Sequence, residues 1–280
     1  MSPTGIDRRR FNVAAVGSLA AAGAWPAAQA AETDTGTNGA NVLRILFEAA
    51  ETGFDPVGSN DLYSNRVKSH IFESLIGYDP IAVPVRPVPV TAEALPEVSA
   101  DFRTWTLRLA RGTLFANDPA FKGRPRELVA ADYVFAIKRI FDPATKSPFY
   151  STFNDEGIVG LDELRQRALR DKAPFDYQSE IDGLRALDRY TLQFRLSASR
   201  PRFASTIASQ PAAAVAKEVV DAYGADIAAH PVGTGPYRIK SWRRSSRIVL
   251  EKSPTYRDVR YDAQPAAGDT EGQAWAKRFN

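Results

Sequence analysis

The reactive and metal-ligating residue types in this chain narrow its possible functions. Its 280 residues contain no cysteine, and its two histidines are His70 and His230. Without cysteine there is no disulfide, thiolate metal site, cysteine nucleophile or lipidated N-terminal cysteine. Two histidines alone also argue against a histidine-rich metal site. We therefore expect neither a metal nor a cofactor.

The spacing of serine, histidine and acidic residues matches no catalytic arrangement. The sequence has no Gly-x-Ser-x-Gly nucleophile motif, and no spacing in it suits zinc or a phosphate-binding loop. Asp162 and Glu163 are adjacent carboxylates, but Arg165 and Arg167 follow them, which is typical of a solvated helix face. We predict that the protein is not an enzyme and has no catalytic residue. An exported hydrolase is the alternative from another functional class.

The most recognisable short motif contains Gly233, Gly235 and Pro236. A loop that cradles phosphate would lead into a helix, whereas a β-rich run follows here. The glycines and the proline therefore predict a backbone bend that enters a strand. Trp105 and Trp242 are interpreted as core residues rather than ligand contacts.

The secondary structure predicted around these residues mixes helices and strands. Strict alternation predicts a strand over 102–109, and helical spacing of apolar residues predicts an amphipathic helix over 128–141. This mixture indicates an α/β or α+β protein. The other predicted strands lie at 42–47, 190–196, 235–239 and 247–250, and the other predicted helices lie at 65–76, 161–169 and 212–223.

The composition and the first residues indicate an exported globular protein. Hydrophobic residues make up 44% of the chain, and the formal net charge is +3. Charges of both signs alternate along the later sequence, so we expect no nucleic-acid partner. Residues 1–30 resemble a cleaved signal peptide, because Arg8-Arg9-Arg10 precedes a short apolar stretch and Ala28-Gln29-Ala30 offers a cleavage site. The twin-arginine and general secretory routes both stay open. The polar residues 31–40 predict a flexible leader, and the mature protein is predicted to be periplasmic.

Six short segments, in order along the chain, carry recognisable motifs. Two of them are Phe54-Asp55-Pro56 and the run from Trp105 to Gly112, and the other four are 71–78, 130–143, 186–192 and 230–237. The first two resemble the Leu-Asp-Pro signature and the Trp-Thr-Phe-x-Leu-Arg-x-Gly strand of the family 5 extracellular solute-binding proteins. Each motif is weak alone, but six in order make the chain similar to the N-terminal portion of such a protein.

The resemblance implies a specific fold class. It is α/β and periplasmic binding protein-like, of type II and the three-domain peptide-binding class. Residues 41–68 and 183–262 would form a discontinuous main domain, 69–182 an inserted small domain, and 263–280 a link to a second lobe. That lobe is absent, so the fold is expected to be incomplete. A truncated product and a fragment both stay open.

The resemblance also implies binding without catalysis. Members of the family deliver solutes to the permease subunits of ABC importers. The peptide-binding members hold an extended peptide between two lobes, mainly through main-chain hydrogen bonds, and close about a hinge. We expect a peptide or peptide-like ligand and a monomer when full length. Dipeptides, modified peptides, nickel chelates and haem stay open as alternative ligands.

Alignment to the family places two segments at the ligand. Asn60, Asp61 and Leu62 fall where peptide-binding members present main chain and an acidic side chain, although this run is also good turn chemistry for a solvated loop. Phe149 and Tyr150 resemble a segment that lends an aromatic ring to the peptide, although a packed turn is the structural alternative. In a full-length protein, Asp61→Ala should therefore weaken peptide binding. If Asp61 lies on an exposed loop, the same change should leave the melting temperature nearly unchanged.

One departure from the family pattern falls at the start of the predicted helix over 128–141. The position that normally holds a capping threonine is occupied by Val129. Valine has no side-chain acceptor, so we expect this helix to begin without the hydrogen bond that a threonine cap supplies.

Overall fold

The computed structural model describes residues 41–80, 82, 84–259 and 265–279. The chain divides into two units, Met1–Leu46 and Phe47–Asn280. The predicted signal peptide (1–30) and leader (31–40) lie outside the described residues and stay predictions. None of the described helices combines the length and the apolar character that a bilayer-spanning segment requires.

The described part of the first unit, residues 41–46, forms no strand. Its apolar side chains are exposed, from 57% for Val42 and Ile45 to 84% for Leu43 and 89% for Leu46. The predicted strand over 42–47 is therefore wrong. A β-rich run satisfies its backbone N–H and C=O groups as a strand only when another strand pairs with it, and that pairing is not encoded locally.

The second unit alternates helices with short strands. Its described helices are α1 (Leu62–Ile71), α2 (Ala130–Phe141), α3 (Tyr150–Asp155), α4 (Leu161–Asp171), α5 (Phe203–Ile207), α6 (Lys217–Tyr223) and α7 (Thr270–Phe279). Its described strands are β1 (Ile76–Tyr78), β2 (Pro87–Pro89), β3 (Glu97–Val98), β4 (Thr104–Arg108), β5 (Leu184–Ala186), β6 (Thr191–Arg195), β7 (Tyr237–Arg243) and β8 (Arg247–Lys252).

The described strands form three antiparallel sheets. The largest has the order β3-β4-β6-β5, while β1 pairs with β2 and β7 pairs with β8. In the large sheet Trp105 lies opposite Phe194, and Leu107 lies opposite Leu192. All four side chains are buried, as the alternation in the sequence predicts.

The large sheet crosses a predicted domain boundary. Its strands β3 and β4 come from the predicted inserted domain (69–182), whereas β5 and β6 come from the predicted main domain (183–262). Helix α7 occupies part of the predicted link (263–280). The domain division stays a prediction.

Helix α2 supplies the central apolar face of the unit. Tyr133, Ile137, Ile140 and Phe141 are each no more than 1% exposed. The helix packs against β5, β6 and α4, where its side chains join the main core cluster. The amphipathic pattern over 128–141 therefore predicted α2 correctly.

A second, smaller cluster lies under the β7–β8 hairpin and contains Phe54, with which Trp242 makes an edge-to-face contact at 4.8 Å.

Two predicted helices differ from the structure at their ends. The helix predicted over 65–76 spans 62–71, because Phe72 takes an extended conformation (φ −109°, ψ 143°) and the chain then enters β1. Gly77 therefore lies inside a strand instead of ending the helix. The helix predicted over 212–223 is shorter, because Ala213 and Ala216 are extended and α6 begins only at Lys217.

The glycines of the predicted bend allow two backbone segments to cross in contact. A Cβ atom on Gly233 would lie 2.1 Å from the carbonyl oxygen of Ile71, and one on Gly235 would lie 2.7 Å from the same oxygen. The N–H of Gly235 donates to this oxygen at 2.8 Å. Because a side chain cannot fit there, these glycines have the structural role that the sequence predicts. The strand β7 follows at Tyr237.

Candidate functional site

The first predicted ligand segment, Asn60–Leu62, lies at the start of α1. Asp61 is the N-cap of this helix, and its carboxylate accepts hydrogen bonds from Ser64 N at 2.8 Å and from Thr52 Oγ1 at 2.5 Å. Partial burial would raise the pKa of Asp61, but the hydrogen bonds from Ser64 and Thr52 outweigh it and lower the pKa to about 2. The solvated-loop interpretation of Asp61 is therefore wrong, because capping gives this side chain a structural role.

The neighbours of Asp61 offer groups that a ligand can contact. Asn60 is exposed, and its main-chain N–H and C=O have no hydrogen-bond partner among the described residues. The side chain of Leu62 is 62% exposed although it is large and apolar. This short stretch thus combines free main-chain groups with an apolar surface, which are the contacts that strand-like binding of an extended peptide uses.

Buried charges fix the loop that leads into this stretch. The guanidinium of Arg139, on α2, forms a bidentate pair with Asp55, with N–O distances of 2.9 and 2.7 Å. Lys68 of α1 is fully buried, and its Nζ donates to the carbonyl oxygen of Ser59 at 2.6 Å. Burial lowers the pKa of Lys68 to about 8, although the carboxylates of Asp55 and Asp61 oppose the shift. Removing Asp55 or Arg139 would leave the other charge buried without a partner, which is strongly destabilising. The Asp55–Arg139 pair and the Lys68–Ser59 hydrogen bond therefore tie this loop to α2 and α1.

Arg139 and Lys68 position this loop, although the sequence patterns did not predict that role. Both lie on the apolar faces of their helices. Lys68 directly follows the buried Val67, and Arg139 lies three residues after the buried Ala136. Lysine and arginine are rarely fully buried unless they are paired. A charged residue inside an otherwise apolar stripe was therefore the available signal, but the sequence does not show which partner it meets.

The second predicted segment, Phe149–Tyr150, lies at the start of α3. Phe149 is half-buried against the main core cluster. The ring of Tyr150 packs edge-to-face on Phe141 at 5.5 Å, and the guanidinium of Arg165 lies 4.0 Å from the ring centroid. The Tyr150 hydroxyl donates to Asp162 Oδ1 at 2.7 Å, and burial together with this carboxylate raises the pKa of Tyr150. The packed-turn alternative thus describes where both side chains lie.

The structure brings both segments to the last turn of α2, through different partners. The loop before α1 meets this turn at Arg139, and α3 meets it at Phe141. In the described ranges, no group of three or more His, Asp or Glu side chains is placed to hold a metal ion. What the arrangement offers is a fixed surface of main-chain, apolar and aromatic groups.

Comparison with known proteins identifies relatives over most of the chain. Residues 86–270 match the family described as bacterial extracellular solute-binding proteins, family 5 Middle. The chain is 28% identical over 257 residues to the periplasmic oligopeptide-binding protein OppA of Escherichia coli strain K12, a match that covers 90% of this chain and 43% of that protein. It is 25% identical over 205 residues to the glutathione-binding protein GsiB of Pectobacterium atrosepticum, which covers 73% of this chain and 33% of that protein.

Solved structures give the same result. Haemophilus influenzae OppA in complex with RPPGFSPFR superposes with a TM-score of 0.61 and 26% identity, over 74% of this chain and 37% of that chain. Burkholderia pseudomallei OppA superposes with a TM-score of 0.59 and 27% identity, over 75% of this chain and 38% of that chain. The fold is that of OppA-type periplasmic binding proteins, as the resemblance implied, and the chain spans less than half the length of these relatives.

Proposed function

Because this chain belongs to the bacterial extracellular solute-binding proteins of family 5, we propose that it is the substrate-binding component of an ABC importer. It captures oligopeptides or related peptide-like solutes in the periplasm and delivers them to the permease subunits without catalysis. Relatives named for oligopeptide and glutathione binding support this assignment, as does a solved neighbour in complex with a peptide. The proposal keeps the predicted main domain (41–68 with 183–262) and inserted domain (69–182).

The observation that carries the proposal is the surface at the start of α1. An extended peptide needs main-chain donors and acceptors at fixed positions, and Asn60 presents both without a partner among the described residues. The cap at Asp61 and the Asp55–Arg139 pair hold this main chain in place before a ligand arrives. Binding then costs less conformational entropy than it would on a mobile loop.

The aromatic segment supplies side-chain contacts in this proposal. Phe149 and Tyr150 are each half-buried, so one part of each ring packs in the protein and another part stays accessible. Arg165 and Asp162 fix the orientation of Tyr150. A ring held this way offers a flat apolar surface to a peptide side chain at little entropic cost.

Two measurements test the proposal. Mass spectrometry of material that co-purifies with the protein should find peptides. Calorimetric titration with tri- to nonapeptides and with glutathione should give saturable binding with a Kd of the order of 1 μM, near −8 kcal/mol. Absence of any peptide in the co-purified material, together with no binding at about 1 mM peptide, rules the proposal out.

A matched pair of variants locates the contact. Leu62→Asp should weaken peptide binding about tenfold, because it removes apolar area from the proposed contact surface. Leu95→Asp makes the same change at a leucine that is 45% exposed elsewhere, and peptide affinity should not change. If both variants bind peptide like the unmodified protein, the ligand does not contact the start of α1.

A further inference from the structure

A surface cavity of about 350 Å³ lies at one end of the large sheet. Arg108 at the end of β4 and the turn Asp188–Tyr190 before β6 form its walls, together with Arg111 and Glu93. Main-chain bonds fix these walls, because Leu109 N donates to Tyr190 O at 2.8 Å and Glu93 N donates to Arg108 O at 2.7 Å. The volume is within the range of small-molecule sites.

Most of the negative charge at this cavity already has hydrogen-bond donors. The carboxylate of Asp188 accepts from the N–H groups of Tyr190 and Thr191 and from the Thr191 hydroxyl, at 2.7 to 2.8 Å. Glu127, beside the cavity, accepts from Gly112 N, Arg189 and the Tyr190 hydroxyl, at 2.8 to 3.0 Å. The negative charge of Glu127 is therefore balanced by Arg189, and that of Asp188 by local N–H and O–H donors together with the nearby charge of Arg108.

Two other arginines at the cavity form no direct ion pair. Arg108 and Arg111 are exposed, and neither pairs with a carboxylate within 4.0 Å in the part of the chain that the structure describes. Hydrogen bonds from Tyr190 and Thr191 lower the pKa of Asp188, and the charge of Arg108 adds to this effect from a longer distance. The guanidinium of Arg111 lies 5.0 Å from the centroid of the Tyr190 ring, which the hydroxyl bonds to Glu127 and Arg189 hold in place. A guanidinium stacked on a ring keeps its N–H edge available for an oxyanion.

We propose that this cavity binds a small organic or inorganic dianion, either a phosphate group or a dicarboxylate. Arg108 and Arg111 would donate paired hydrogen bonds to its oxygens, as guanidinium groups do with phosphate and carboxylate. Glu93 lines the same cavity and repels the ligand, so it limits the affinity.

The cavity is separate from the proposed peptide surface. It adjoins the first residue of α2, because Ala130 N donates to Arg189 O at 2.9 Å. The peptide surface adjoins Arg139, near the other end of the same helix. Nine residues of helix separate these positions by about 14 Å at 1.5 Å per residue. The two proposals therefore stand or fall independently.

Calorimetric titration of the full chain with inorganic phosphate and with succinate tests the cavity. We expect saturable binding of at least one probe. The probe with the lower Kd shows whether the cavity prefers a phosphate group or a dicarboxylate. Arg108→Gln and Arg111→Gln should each weaken binding about tenfold, as expected for loss of a charged hydrogen bond. Arg195→Gln changes an exposed arginine on β6 of the same sheet and should leave the Kd unchanged.

A change at Glu93 tests the sign of the ligand charge. Glu93→Gln should tighten the binding of the dianion, because it removes a repulsive charge. Weaker binding in this variant would mean that Glu93 contacts a cationic group of the ligand, which would overturn the proposal. No binding of either probe at about 10 mM, or equal Kd values for the arginine variants and the unmodified chain, would overturn it too. Circular dichroism melts of each variant confirm that the comparison is between folded proteins.

Discussion

At the scale of single residues, Asp61 shows how one side chain can serve both stability and a proposed ligand surface. Its carboxylate caps α1 through Ser64 and also accepts from the Thr52 hydroxyl. The run around it suits a solvated turn as well as a helix cap, since Asp favours both. Only the position of the following helix distinguishes the two, and α1 begins three residues earlier than the apolar spacing predicts.

We predict that Asp61→Ala lowers the free energy of unfolding by about 1 kcal/mol at pH 7, the usual cost of a lost N-cap. Asp61→Asn should lose much less, because asparagine also accepts from the helix N–H. Urea denaturation of the three proteins measures both differences. Equal stability of all three proteins would mean that Asp61 does not cap α1 and lies on an exposed loop instead.

The stabilisation by Asp61 should also depend on pH. Its pKa in the folded protein, about 2, is below the ordinary value of 3.8. A carboxylate with a depressed pKa contributes stability above its unfolded-state pKa and loses that contribution as the pH falls through the folded-state pKa. The difference between the unmodified chain and Asp61→Ala should therefore narrow between about pH 4 and pH 2.

At the scale of elements, α2 begins with an incomplete cap. The carboxylate of Asp132 accepts from Val129 N at 2.9 Å, which is one half of a capping box. Val129 has the extended backbone of an N-cap residue (φ −131°, ψ 163°) but no side-chain acceptor, as the sequence predicts. The helix that supplies the central core face therefore begins without the second hydrogen bond of a complete capping box.

We predict that Val129→Thr raises the free energy of unfolding by about 0.5–1 kcal/mol, because the hydroxyl accepts from an unpaired N–H of the first turn. Val134→Thr is the matched control: it makes the same change inside α2, where Val134 is half-buried and packs on the core. That variant should be neutral or less stable. Chemical denaturation of both variants separates capping from a general effect of threonine, and a Val129→Thr protein no more stable than the unmodified chain would exclude a cap at this position.

At the scale of the whole molecule, the run 42–46 is a concentrated apolar surface. Leu43 and Leu46 are among its most exposed side chains, at 84% and 89%. Exposed apolar residues next to one another in a β-rich run favour association between chains. The run therefore bears on solubility more than on the stability of the fold.

We predict that Leu43→Ser combined with Leu46→Ser reduces self-association of the chain at high concentration, measured by light scattering. Its free energy of unfolding should change by less than about 0.5 kcal/mol, as for other surface substitutions. Leu75→Ala, at a fully buried leucine, is the contrast and should cost about 3 kcal/mol. If the double variant destabilises the fold, then these leucines are packed in solution.

Short sequence patterns were enough to predict much of the local structure and the family. The alternation around Trp105, the apolar stripe of α2 and the separate strands β7 and β8 are each encoded within a few consecutive residues. The motifs from Phe54 to Tyr237 were sufficient to indicate the family that the comparison confirms. Local periodicity and turn chemistry act over the same short range that a sequence pattern covers.

Contacts between residues far apart in the sequence could not be predicted and are seen only in the folded chain. The Asp55–Arg139 pair joins positions 84 residues apart, and the pairing of β4 with β6 brings together two predicted domains. The sequence predicted a strand at 42–47 that does not form, because β-propensity creates a strand only where a partner supplies hydrogen bonds. In the same way Phe149 and Tyr150 were chosen as aromatics near a ligand, but their packing on the core follows from the three-dimensional arrangement of α2, α3 and α4. Charge pairs, strand partners and burial depend on contacts between segments, and a linear pattern does not contain them.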